Sequence, residues 1–210
     1  MDMIGYYLAN PQAIIYMVAN ALLYPVLFVE VIALVWTMFE AGRFTVEVTR
    51  RGRHRSLQAV RAASARGYAA LADDRPDDAL HHVRQALQHG GLSRRFADGL
   101  ETDDLVRTHL RKLVAETESE AARLLSRTRT LVRIGPMLGL MGTLIPISPA
   151  LVGLAQGDVQ TLADNLVIAF STTVVGILIG GVSYLISAVR ERLYRQDISD
   201  IEYVLETLEV

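Results

Sequence analysis

Hydroxyl side chains and glycines recur in two long apolar segments, and their types and spacing suggest chemistry. The first segment reads Gly-Pro-Met-Leu-Gly-Leu-Met-Gly-Thr over residues 135–143, and the second reads Ser-Thr-Thr-Val-Val-Gly over residues 171–176. Small residues four positions apart share one face of a helix and let another helix approach closely. The candidate packing residues are Gly135, Gly139, Gly142, Gly176 and Gly180.

Thr143, Thr172 and Thr173 are the candidate functional hydroxyls of these segments. Most Ser and Thr side chains in membrane helices bond to a carbonyl of the preceding turn and only help packing. Two helices that each carry small residues beside a hydroxyl nevertheless favour a shared polar seam. Because an isolated carboxylate is costly in hydrocarbon, a proton carrier needs such hydroxyls, or water, beside it.

Glu30 is a possible intramembrane acid. It lies in an apolar stretch, 13 residues and roughly 20 Å from Arg43. Acidic side chains inside a membrane helix are functional candidates by default. Two interpretations stay open: a structural group that is protonated or bonded to a neighbouring helix, and an ion relay.

Other reactive constellations are not apparent in the sequence. It has no cysteine, and the histidines form no clean ligand pair one helical turn apart. No Ser-His-Asp arrangement, phosphate-binding loop or paired-carboxylate motif is present. We therefore expect no enzymatic activity, no metal site and no cofactor. The five histidines, interpreted as solvated helix-face residues, are His54, His81, His82, His89 and His109.

Charge placement identifies membrane-crossing segments. All 21 Lys and Arg residues fall within residues 43–133 and 190–195. Residues 134–154 and 166–189 carry no charge, and about 20 apolar residues suffice to cross the hydrocarbon core. A further crossing is predicted from about Ala21 to Ala41, after a short interfacial helix near Pro11–Asn20. Only Asp2 is charged ahead of this apolar run, so we expect the segment to be retained rather than cleaved as a signal peptide.

The positive-inside rule predicts the orientation of these crossings. It places both basic blocks in the cytoplasm, and therefore the N-terminus and the loop 155–165 outside. Basic residues after the first crossing are expected to lie against anionic lipid headgroups. They are Arg50, Arg51, Arg53 and Arg55. The net charge of −2 also disfavours a nucleic-acid-binding protein.

The cytoplasmic block carries helical patterns. Asp74 is predicted to cap a helix that has Pro76 in its first turn and stops at Gly90-Gly91. No Gly or Pro interrupts residues 103–133, so that helix should continue into the second crossing. An apolar stripe, including Ile201 and Val204, continues beyond the third crossing. Its partner must lie within the chain or in a neighbouring subunit.

The two glycine- and threonine-containing segments resemble the signature of the MotA/TolQ/ExbB proton channel family. The stretches that carry the resemblance are 133–143 and 169–176, separated by a short acidic loop. The resemblance implies a homopentamer whose second and third helices line a pore, with the first helix outside that ring. It also implies two copies of a single-crossing partner, similar to MotB, TolR or ExbD, whose membrane aspartate carries the proton.

The resemblance assigns roles to particular residues. Thr143 and Thr173 match the family's pore-facing threonines, and Thr172 is grouped with them in the predicted ion pathway. TolQ- and ExbB-type members carry a glutamate five residues before the threonine that matches Thr173, whereas this chain has Ile168 at that position. That departure favours MotA-like or divergent members.

The predicted protein is an all-α, multi-pass protein of the inner (cytoplasmic) membrane, with a pentameric pore-forming assembly and a cytoplasmic C-terminus. We expect the pore-forming subunit of an ion-driven motor or energy-transducing complex, with protons as the expected ion. The alternative is a non-conducting three-helix scaffold that recruits cytoplasmic partners. The predicted segments are an N-terminal interfacial segment (1–20), crossings at 21–42, 134–154 and 166–189, a cytoplasmic helical domain (43–133), an extracytoplasmic loop (155–165) and a cytoplasmic C-terminal helix (190–210).

Overall fold

The computed structural model describes residues 11–51, 57–88, 91–100 and 107–208, and within these ranges it contains helices joined by turns, with no strand. Several helices are short, but two run for about 50 residues each. In chain order they are α1 (Pro11–Ala21), α2 (Leu23–Arg50), α3 (Leu57–Ala72), α4 (Pro76–Leu87), α5 (Gly91–Asp98), α6 (Arg107–Ala155) and α7 (Val159–Leu208).

Three stretches are long and apolar enough to cross a membrane, which confirms the predicted number of crossings. They are Gln12–Thr49, His109–Ala155 and Val159–Thr207. Large apolar side chains are exposed along all three, as expected where lipid or another protein chain covers them. Examples are Phe28, Leu140 and Phe170, each at least 60% exposed. The chain is therefore a membrane protein.

A tight turn separates the two long helices, α6 and α7, and a capping residue begins the second. Beyond the turn at Gly157, which has a φ of +76°, Asp158 caps α7. Its carboxylate accepts hydrogen bonds from the backbone N–H and the hydroxyl of Thr161, at 3.0 and 2.6 Å. These bonds hold the pKa of Asp158 below its ordinary value. No proline follows within α7, whereas α6 remains helical through three: Pro136, Pro146 and Pro149.

The chain forms two compact units. The membrane unit comprises the chain up to Ala41 together with Thr128–Leu185, and the helical unit comprises Gly42–Arg127 and Ile186–Val210. Buried side chains from α2, α6 and α7 form the hydrophobic core of the membrane unit. Its core consists of Val26, Ala33, Leu131, Leu138 and Ile179, with Leu34, Ile145 and Val175 packed against it.

The apolar stripe of the last helix, α7, packs inside the helical unit. Ile201, Val204 and Leu205 of α7 are buried in a cluster with Leu80, Val83 and other residues of α3–α6. The partner of this stripe is therefore the same chain. A second cluster joins Tyr194 to Leu92, Ala121 and Leu125.

Two local predictions in the helical unit need correction. The residue that caps α4 is Arg75 rather than Asp74, and no side chain bonds the free N–H groups there. Asp74 has a φ of +58°, the left-handed conformation of a tight turn, so it precedes the helix instead of capping it. The helix ends at Leu87, and Gly91 begins the next one. Gly90 lies outside the described residues.

Candidate ion-pathway site

Helices α6 and α7 touch through their glycines in the membrane unit. A Cβ atom placed on Gly176 would lie 2.7 Å from both the Gly135 carbonyl oxygen and the Gly139 Cα. One placed on Gly135 would lie 2.8 Å from the Gly180 nitrogen. Side chains other than hydrogen would therefore force the two backbones apart. We call this contact, formed by Gly135, Gly139, Gly142, Gly176 and Gly180, the glycine seam.

Thr143 and Thr173 meet across α6 and α7 beside the glycine seam. Their hydroxyl oxygens are hydrogen-bonded to each other, and either atom can be the donor. Each hydroxyl also lies within hydrogen-bond distance of a carbonyl of its own helix. Thr143 Oγ1 is 2.7 Å from the Gly139 oxygen, and Thr173 Oγ1 is 3.0 Å from the Ala169 oxygen.

The shared contact limits how the two hydroxyl protons can be arranged. Each hydroxyl has one proton to donate and two lone pairs that can accept. If one threonine donates to the other, only the other can donate to a carbonyl. The pair therefore keeps unused acceptor capacity, and rotating one hydroxyl redirects a donor. Both side chains are half-buried, so these groups lie at the edge of the subunit rather than within its core.

Thr172, the third residue predicted for the ion pathway, is buried between α6 and α7. Its side chain is 6% exposed, and its hydroxyl donates to the Ala169 oxygen at 2.9 Å. A Cβ on Gly142 would lie 2.6 Å from its side chain, so Thr172 fills the space that this glycine leaves. The neighbouring Ser171 is exposed and bonds only its own helix, to the Val167 oxygen at 2.7 Å.

The surroundings of the threonine pair are apolar. Ile168 is half-buried one turn from Thr172. The sequence holds no acidic or basic residue between Ile134 and Gly157, and none between Asn165 and Val189. A carboxylate that approaches these hydroxyls within the membrane must therefore come from outside these two segments.

Glu30 lies away from solvent, inside the membrane unit. Its side chain shares a face of α2 with the core residues Val26 and Ala33, and only 3% of the residue is exposed. Its Oε1 atom is buried without a hydrogen-bond partner among the described residues. The acid is thus enclosed within one subunit.

The histidines do not form a site where they are described. His81 is exposed, and its ring lies 5.9 Å from that of His82, edge to face. Across the described residues, no three His, Cys, Asp or Glu side chains are grouped to hold a metal ion. His54 and His89 fall outside the described residues.

Sequence reasoning missed a buried ionic network in the helical unit. Arg51 Nη2 lies 2.6 Å from Asp197 Oδ2, and the same oxygen accepts the Leu92 N–H at 3.0 Å. Arg190 Nε donates to Glu47 at 3.1 Å. Arg51 was expected to face lipid headgroups, which is wrong because its side chain is only 14% exposed and ion-paired within the chain. Arg53 and Arg55 lie outside the described residues, as does the Arg50 side chain.

Burial perturbs the ionisable groups of this network. It raises the pKa of the Asp197 carboxyl, with Arg51 and the Leu92 N–H opposing the rise. Burial also raises the pKa of Tyr194, and the nearby Glu47 charge adds to that effect. Arg51 and Asp197 are 146 residues apart, so no local sequence pattern predicts their ion pair. The sequence shows only that residues of opposite charge follow two of the crossings.

Comparison with known proteins decides the family. A profile of the MotA/TolQ/ExbB proton channel family matches residues 79–203, more than half of the chain. The chain belongs to this family. The matched region of this MotA/TolQ/ExbB member includes the glycine seam and both Thr143 and Thr173, whereas Glu30 lies outside it. No curated protein and no solved structure matches the chain significantly.

Proposed function

We propose that this chain is the pore-forming subunit of a proton-driven motor or energy-transducing complex. Membership of a proton channel family gives the broad class. The single observation that carries the specific proposal is the contact of the Thr143 and Thr173 hydroxyls at the edge of the subunit. Two adjacent hydroxyls between two apolar helices provide donors and acceptors at membrane depth.

In this proposal the threonine pair solvates a carboxylate brought by a partner. While the partner's carboxyl group is protonated, it donates a hydrogen bond to an unused lone pair on one of the two threonine hydroxyls. After the proton leaves, a rotated hydroxyl donates to the carboxylate instead. Because the hydroxyls carry no charge, they stabilise both forms without trapping the ion in a fixed pair. Thr172 supports this arrangement through its packing against Gly142.

The proposed assembly follows from the missing carboxylate. The segments that form the glycine seam contain no acid. In this proposal a single-crossing partner of the MotB, TolR or ExbD type supplies the aspartate. We propose a homopentamer of this chain around two copies of that partner. Exposed apolar side chains on α6 and α7 would then face the partner or neighbouring subunits.

We further propose that the protein lies in the cytoplasmic membrane with its C-terminus inside. The basic residues within 43–133 and 190–195 support this orientation. The helical unit would then be cytoplasmic. Cysteine labelling with a membrane-impermeant reagent, at a position in the 155–165 loop and another in α4, would test it. Labelling of α4 in intact cells would overturn the orientation.

The decisive experiment reconstitutes the chain with a candidate partner, a single-crossing protein that carries one membrane aspartate. Native mass spectrometry in nanodiscs measures the stoichiometry, for which we expect five copies to two. Proteoliposomes containing a pH-sensitive dye measure proton flux under a membrane potential. A stable complex that conducts no protons, with or without its aspartate, would favour the non-conducting scaffold.

A further inference from the structure

Glu30 is placed where a membrane helix ordinarily carries an apolar side chain. It stands between Val26 and Ala33 on the face of α2 that packs into the core of the membrane unit. Leu138 of α6 and Ile179 of α7 belong to the same core. The burial of Glu30 arises within a single chain, so it does not depend on how subunits assemble.

Glu30 forms no ion pair with any residue that the structure describes. On α2 itself the nearest ionisable residue is Tyr24, which is 79% exposed. The nearest charged residues of α2 are Glu40, which is also 3% exposed, and Arg43. Those two residues lie roughly 15 and 20 Å along the helix from Glu30. Between Ile134 and Ala155, α6 has no ionisable side chain, and α7 has none between Asn165 and Ser183. Arg129 and Arg133 of α6, which flank the core residue Leu131, are exposed. In α1 the ionisable residue is Tyr16, which is 44% exposed.

The carboxyl group also lacks full hydrogen bonding. Its Oε1 atom has no hydrogen-bond partner among the described residues. The same is true of the Ser183 hydroxyl oxygen, which is also buried in the membrane unit. An ionised carboxylate buried without a counter-ion is far more costly than a neutral carboxylic acid, which behaves as an ordinary polar group. The surroundings therefore favour the form that carries the proton.

We propose that Glu30 is a proton-binding site of the chain itself, separate from the Thr143–Thr173 pair and present once in every subunit. The acid holds its proton while α2 packs against α6 and α7. Ionisation would place an unpaired charge in that core, so it requires the packing around Glu30 to open to water. The site is independent of the proposed function, because the chain alone carries it.

The test uses the full chain alone in lipid nanodiscs, without any partner. Infrared difference spectra between acidic and alkaline pH report the C=O stretch of protonated carboxylic acids, and uniform ¹³C labelling of glutamate identifies glutamic acid bands. We expect a glutamic acid band at neutral pH that disappears in Glu30→Gln. The matched control Glu40→Gln, at an equally buried acid of the same helix, should retain it.

Three outcomes would overturn the proposal. They are a wild-type spectrum with no glutamic acid band at neutral pH, a band unchanged in Glu30→Gln, and a band lost in Glu40→Gln instead. If Glu30→Gln does not fold, Glu30→Asp replaces it and should move the band out of the glutamate-labelled set. Because no partner or proton flux enters the measurement, failure here leaves the proposed motor function standing, and the reverse also holds.

Discussion

The hydroxyl oxygens of Thr143 and Thr173 are hydrogen-bonded to each other although 30 residues separate them in the sequence. One threonine comes from α6 and the other from α7. The glycine seam makes this contact possible, because it brings the two helix backbones together one turn away. The functional hydroxyls and the packing residues are thus two parts of one arrangement.

Thr173→Val should abolish most ion-driven work while leaving assembly intact. Valine keeps the shape but removes the hydroxyl, and a hydrogen bond to a charged group contributes about 1.5–3 kcal/mol. That loss corresponds to about a 10- to 150-fold lower rate of proton flux. Flux into proteoliposomes measures it, with Thr173→Ser expected to retain activity. Ser171→Ala is the matched control, since that hydroxyl bonds only its own helix. Full flux in Thr173→Val would refute the assigned role.

Gly176→Ala should destabilise the membrane unit by about 1–3 kcal/mol, the usual cost of overpacking. The new methyl group would meet the Gly135 oxygen and the Gly139 Cα at 2.7 Å. Gly181→Ala provides a close control five residues along α7, because nothing lies within 4 Å of a Cβ there. Thermal unfolding in detergent compares the two variants. Equal melting temperatures would show that the seam does not need a glycine at position 176.

Asp197→Ala should destabilise the helical unit by about 3–5 kcal/mol, because it leaves the Arg51 guanidinium buried without its partner. The double variant Arg51→Met with Asp197→Leu should recover much of that loss. Hydrogen exchange of the Leu92 amide, which donates to Asp197, gives a local readout. Asp73→Ala, in an exposed pair with Arg75, should leave exchange unchanged. A double variant no more stable than Asp197→Ala would contradict this account.

The raised pKa of Asp197 predicts a pH dependence of stability with a definite sign. Above its ordinary value of 3.8 and up to the raised value, the native state binds more protons at this site than the unfolded state does. The contribution of Asp197 to stability therefore falls as the pH rises through that window. Subtracting unfolding curves of Asp197→Asn from those of the wild type isolates the contribution. A difference that grows more favourable to the wild type with rising pH would reverse the predicted sign.

Local sequence patterns predicted the elements of the fold and the candidate pair of hydroxyls, but not the contacts of the helical unit. The length of the apolar stretches predicted the three crossings, and the absence of proline indicated that α7 is continuous. Small-residue spacing pointed to the faces where α6 and α7 meet. Arg51 was misjudged because an arginine after a crossing has the same local pattern whether it binds lipid or an acid distant in sequence. Asp74 was misjudged because a turn and a helix cap favour the same residue types.

The glycine seam also determines which parts of the membrane unit are free to move relative to each other. With backbone against backbone at Gly135, Gly139 and Gly176, α6 and α7 cannot slide or rotate independently without colliding. Within the membrane unit the two helices therefore pack as one hairpin. The surface between this hairpin and α2 is lined by ordinary side chains such as Val26 and Ala33 instead of glycine backbone. Glu30 lies on that surface, so the enclosed acid is found where helices meet through side chains and not where backbone meets backbone.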